Sequence, residues 1–173
     1  MKLVSETRSL KKLSDLKERF KENISDYEAR AKSCETCEVQ GSCCLDAHFV
    51  NVRVSRLEAV AIERVLTSLA PEKRQIVEKR IDDAVTRYGL TVDPTQDRTF
   101  ACPLFERGTG CLVHNEGKPL PCIAHACYED QPDLPPENIL IEKELAVDAL
   151  NSRTYGSPQP WLPLPVALLR RIC

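Results

Sequence analysis

No apolar run in this chain approaches the roughly 20 residues that a bilayer-spanning helix needs, so no membrane segment is expected. A secretory leader is not expected either: Met1 to Lys12 mixes Lys, Arg and Glu, with no apolar stretch ahead of a small-residue cleavage site. Charge of one sign does not dominate. The formal net charge is -2, which gives no electrostatic footprint for DNA, RNA or an anionic membrane. Catalytic signatures are also lacking: there is no Gly-x-Ser-x-Gly, no phosphate-cradling loop and no His-Glu-x-x-His.

At 173 residues the chain is long enough for one compact domain and too short for two large ones. Apolar residues at Leu10, Leu13, Leu16, Phe20, Ile24 and Tyr27 recur in steps of three and four, which predicts an amphipathic helix from Glu6 to about Lys32. From His48 to Val54 the valines alternate with Phe49, Asn51 and Arg53, the period of a short strand. Ser55-Arg56-Leu57-Glu58 fits a capping box opening a second helix, with Leu57, Ile62, Val65, Leu66 and Leu69 as its stripe. Pro71 starts a third helix through Ile76, Val77, Ile81 and Val85, capped by Gly89.

Between Thr91 and Pro136 the texture changes to Pro, Gly and Cys, so loops are expected there, with a strand at Leu112 and Val113. Pro136 to about Arg153 reads as a last helix with Ile139, Leu140, Leu145, Ala146 and Leu150 on its buried side. The tail from Tyr155, with Pro158, Pro160, Pro163 and Pro165 around Trp161, is expected to run as an extended strap. A polyproline ligand for a partner domain is the alternative for that segment.

What the chain has in excess is cysteine, nine in all. In a secreted protein nine would be read as disulfides, but the number is odd, no leader is seen, and the chain is large enough to dispense with staples. In a reducing cytoplasm, the expected location, grouped thiols bind metal. The first block is Cys34-x-x-Cys37 followed by Gly41-Ser42-Cys43-Cys44. The second is Cys102-Pro103-Leu104, Gly110-Cys111, Pro121-Cys122 and Cys127. A Cys-x-x-Cys knuckle turns two sulfurs onto one metal, a recurring element of zinc and iron–sulfur sites. Eight thiolates on one divalent ion would leave a charge of about minus six, so more than one metal ion is needed if all eight bind. The neighbouring Arg53, Arg107 and Lys118 are expected to offset part of the remainder. If Cys43-Cys44 is extended, its side chains point to opposite sides and the pair joins two sites.

His48, His114 and His125 lie near the cysteines as further ligands or proton shuttles, against the plainer reading of hydrogen-bonded loop histidines. Asp46 and Glu58 are oxygen-ligand candidates, although Glu58 has its cap to explain it. Cys173 reads as a bystander thiol.

These two blocks resemble the YkgJ-like cysteine-cluster family of zinc- or iron-chelating proteins. The resemblance runs from Cys34-Glu35-Thr36-Cys37 and Cys43-Cys44 through Cys102-Pro103-Leu104, Gly110-Cys111-Leu112-Val113 and Lys118-Pro119-Leu120-Pro121-Cys122 to Cys127. It implies a metal centre held by Cys34, Cys37, Cys43, Cys44, Cys102, Cys111, Cys122 and Cys127. The chain departs from the family pattern at His114, where Tyr is common, at Lys118, where Arg is common, and at Ile123, where an Arg follows the seventh cysteine.

The fold expected from all this is mainly α, a small helical domain with one or two short strands and a cysteine-rich, loop-built metal site. Its parts are an N-terminal helix over 1–33, a cysteine-cluster region over 34–130 and a C-terminal helix and strap over 131–173, within one globular unit. An iron–sulfur cluster is the preferred cofactor, serving redox chemistry or a larger enzyme through a protein or redox partner. Zinc in a structural, interaction-mediating role is the alternative, and a metal-dependent modifying enzyme a third reading.

Overall fold

The computed structural model describes residues 2–32, 38–46, 50–91, 93, 96–125, 128 and 130–172. The fold is mainly helical, and two two-stranded sheets accompany the helices among the described residues. No helix there is long and apolar enough to cross a membrane. The chain divides into two compact units, each assembled from separate stretches: Met1–Glu38 with Pro119–Pro160, and Val39–Lys118 with Trp161–Cys173.

The first unit is built on α1 (Glu6–Glu28), which buries Leu13, Phe20 and Ile24 along the predicted stripe and ends a turn before Lys32. The short α5 (Leu120–Ala124) and the long α6 (Glu137–Tyr155) pack against it and against each other. Leu120, Ile123, Val147 and Leu150 are buried in this unit, each apolar side chain contributing about 1.5–3 kcal/mol when fully removed from water. The N-terminal residues are tied to the end of α6 by hydrogen bonds from Val4 N–H to the Arg153 carbonyl at 3.0 Å and from the Tyr155 hydroxyl to Glu6 at 2.9 Å. Helix α6 corrects the expected stripe. It buries Val147, Leu150 and Asn151, while Leu145 is 66% exposed and Ala146 faces solvent as well. The buried row contains polar side chains such as Asn151 and the half-buried Thr154, so a pattern read from apolar residues alone was rotated.

In the second unit α3 (Arg56–Thr67) opens on Ser55 with the predicted capping box complete. Helix α4 (Pro71–Arg87) has Pro71 in its first turn. It ends in a Schellman motif, with Gly89 N–H bonding the Thr86 carbonyl and Leu90 N–H the Val85 carbonyl. Val77, Ile81, Ala84 and Val85 face inward, and Ile76, one helical step off that row, is 58% exposed.

Among the described residues of the strand expected over 48–54, the paired part is β1 (Arg53–Val54); His48 and Phe49 lie outside the described residues. Its partner is β4 (Leu162–Pro163), antiparallel, with Arg53 opposite Pro163. The tail is therefore not a strap throughout: after β4 it becomes α7 (Leu164–Ile172), which packs on α3 and α4. Pro165 sits in the first turn, where a missing N–H costs nothing, and Leu164, Val166 and Leu168 join Ile62, Leu66, Val77 and Ile81 in one core.

The strand predicted at Leu112 and Val113 lies two residues earlier in the structure. A hairpin joins β2 (Phe105–Glu106) to β3 (Gly110–Cys111), with Phe105 opposite Cys111. Gly108 and Gly110 adopt positive φ in and beside its turn.

Candidate metal centre

Cys43, Cys44, Cys102 and Cys111 are half-buried and carry free thiols, and Cys122 is half-buried as well. Cys34, Cys37 and Cys127 lie outside the described residues, as does His48. Cys122 sits on α5 in the first unit. The other four belong to the second unit, and there the two cysteine blocks meet.

Gly41, at φ +80, caps the single helical turn α2 (Ser42–Leu45), which carries Cys43 and Cys44. The pair is thus helical rather than extended, and the expectation that its side chains point to opposite sides does not hold. The Cys43 thiol hydrogen-bonds that of Cys44 instead. The carbonyl of Cys44 accepts the N–H of Cys102 at 2.8 Å, and Phe100 N–H reaches the Val50 carbonyl at 2.9 Å just before it. The Phe105 ring covers Gly41 so closely that a Cβ there would fall within it. Cys111 arrives from across the hairpin as the partner of Phe105.

The surroundings of these sulfurs have two opposing effects. Burial is the main force keeping the Cys44 thiol protonated, and the neighbouring Cys43, Cys102 and Cys111 add to it, pushing its pKa up to about 12. Burial also pushes Cys102 up to about 11. Backbone N–H groups of Leu104 and Phe105 are aimed at the Cys102 sulfur, however, and they favour its thiolate, as does Arg80. Cys111 is raised by burial too, against the Val113 N–H and the Lys118 charge. Amide donors two and three residues beyond a cysteine, directed at its sulfur, are what a coordinated thiolate uses to spread its charge.

Of the cations expected to balance the site, Lys118 acts on Cys111. Arg53 donates instead to the Trp161 carbonyl at 2.7 Å, and Arg107 is exposed on the hairpin turn. Arg80, missed in the sequence, takes their place. It donates to the Phe105 carbonyl at 3.2 Å and to Glu106 at 3.1 Å, and Lys73 completes the pairing of Glu106 at 3.0 Å. Nothing in the pattern of α4 set Arg80 apart from Arg74 or Lys79; only the arrival of the hairpin does. An open cleft of about 480 Å3 lies alongside, lined by Cys102, Phe105, Arg80, Arg87 and Tyr88 among others.

Glu58 caps α3: its carboxylate receives the Ser55 N–H at 3.2 Å. His114 and His125 are exposed. Among the described residues no three His, Cys, Asp or Glu side chains already stand close enough to hold a metal ion. Comparison with protein-family models, with curated proteins and with solved structures finds no match to this chain.

Proposed function

We propose that this is a metal-binding protein whose cysteine blocks hold an iron–sulfur cluster, in the manner of the YkgJ-like proteins it resembles. The observation that carries the reading is the junction of the two blocks: Cys102 is bonded through its backbone to Cys44, and the thiols of Cys43, Cys102 and Cys111 all act on that of Cys44. The donor set fits the group. Thiolate sulfur is the ligand that selects iron–sulfur clusters and zinc over oxygen-loving cations, and the N–H groups of Leu104, Phe105 and Val113 suit sulfurs that carry charge.

The cluster would supply one-electron chemistry, and the protein's residues set its conditions. Burial of Cys44 and Cys102 keeps water away, while Arg80 and Lys118 offset the thiolate charge. The cleft at Cys102 offers an approach for a redox partner or for the enzyme that the cluster serves. A reducing cytoplasm is the setting that suits free thiols.

Structural zinc is the second reading, favoured by one observation: Cys102 and Cys111 flank a short hairpin with glycines in its turn, a geometry that four-thiolate zinc sites also use. Purification without oxygen, followed by metal and acid-labile sulfide analysis, separates the two. Brown protein with equal iron and sulfide is expected. Colourless protein with stoichiometric zinc would transfer the site to the second reading, and protein with neither metal would defeat both.

A further inference from the structure

The boundaries of the two units cut each cysteine block in half. One falls between Glu38 and Val39, after Cys37 and before Cys43; the other falls between Lys118 and Pro119, after Cys111 and before Cys122. The second unit thus receives one pair from each block; the structure joins the members of the first pair to each other and ties the two pairs together in two ways. Cys43 and Cys44 share a helical turn and a thiol hydrogen bond. Cys102 N–H bonds the Cys44 carbonyl at 2.8 Å. Phe105 faces Cys111 across the hairpin while its ring covers Gly41, the residue that opens the Cys43–Cys44 turn.

We propose that Cys43, Cys44, Cys102 and Cys111 form a self-contained four-thiolate metal site inside the second unit, with no ligand taken from Cys34, Cys37, Cys122 or Cys127. The inference rests on the metal-binding reading above and adds the ligand set. Four thiols saturate a tetrahedral site. On a divalent ion their four charges leave about minus two, and the two cations that act on these sulfurs, Arg80 and Lys118, both belong to the same unit. Each thiol that coordinates releases its proton to water, and rotation of the cysteine side chains draws the sulfurs inward onto the ion.

The test uses the full-length chain and Co2+ alone, titrated without oxygen. A variant with Cys34→Ser, Cys37→Ser, Cys122→Ser and Cys127→Ser is expected to bind one equivalent with the thiolate-to-cobalt charge-transfer absorption of a four-sulfur site. Adding Cys102→Ser should weaken that binding by at least about tenfold. The proposal is overturned if the wild-type chain binds Co2+ and the fourfold variant, with helicity retained, binds none. Should the variant lose helicity, alkylation of the wild-type chain at increasing Co2+, read by mass spectrometry, decides the matter. Cys43, Cys44, Cys102 and Cys111 should become protected together as one set, and protection shared between members of the two sets contradicts the proposal. A wild-type chain that binds neither Co2+ nor iron and sulfide overturns the metal-binding reading as well.

Discussion

The N–H of Cys102 donates to the carbonyl of Cys44 at 2.8 Å, and this single bond fastens together two cysteine blocks that the sequence separates by two whole helices. The Phe105 ring on Gly41 closes the same junction. Alanine at position 41 would have to adopt φ near +80, which costs about 1–2 kcal/mol, and would drive its Cβ into the ring, at a further cost of about 1–3 kcal/mol. Gly41→Ala should therefore lower the urea midpoint and reduce bound metal per chain together. Loss of neither would mean that the junction does not position Cys43 and Cys44.

Glu106 links the hairpin to α4 through Lys73 and Arg80. The hydrogen bond from Lys73 is the main cause of its lowered pKa, with Arg80 assisting. A carboxyl depressed in the folded state stabilises it above the unfolded value, about 4.3, and that stability disappears as the pH falls through the lower folded value. Glu106→Gln should cost about 0.5–1 kcal/mol at neutral pH, the scale of a solvent-screened pair, and nothing at a pH below both values. Urea unfolding at the two pH values measures this, and an equal cost at both would show that charge is not the cause.

The thiols reverse that sign. Cys44 and Cys102 have folded values pushed up to about 12 and about 11 from 9.0, first of all by burial. In the reduced chain held in chelator, their contribution is fully present below pH 9.0 and is lost as the pH rises through about 11 and 12. Denaturation midpoints should therefore fall across that alkaline range, and less steeply in the Cys44→Ala variant. For the same reason metal uptake should weaken as pH is lowered, because protons compete for the same sulfurs.

Ser55 and Glu58 make the reciprocal cap of α3: Glu58 N–H donates to the Ser55 hydroxyl at 3.3 Å, and the Ser55 N–H to the Glu58 carboxylate at 3.2 Å. Ser55→Ala should cost about 1–2 kcal/mol, seen as a lower thermal midpoint. Glu58→Gln keeps a carbonyl acceptor and should cost less. Equal loss of metal in Glu58→Gln and Cys44→Ala would instead make Glu58 a ligand.

Much of this was legible where local chemistry decides: the stripe of α1, the capping box at Ser55 and the Pro71 start of α4 depend on neighbours within a turn or two. The tail was not. Pro163 and Pro165 look like a strap until β1 pairs with Leu162 and Pro163 and the core accepts Leu164 and Leu168. Leu145 and Ile76 fit an apolar pattern but lie off the rows that packing selects. In the candidate site the cysteines announced themselves by type and grouping, whereas Arg80 became visible only when the hairpin reached it. The helical turn at Cys43 and Cys44 was likewise hidden, since two adjacent cysteines do not reveal whether their backbone is coiled or extended.

Metal-edge X-ray absorption on protein purified anaerobically tests the central claim most directly. The expected result is stoichiometric iron with a first shell of sulfur alone at about 2.3 Å, the distance also found for zinc thiolates, and a second shell from neighbouring iron. A first shell of oxygen and nitrogen, or protein containing no stoichiometric metal, would contradict it.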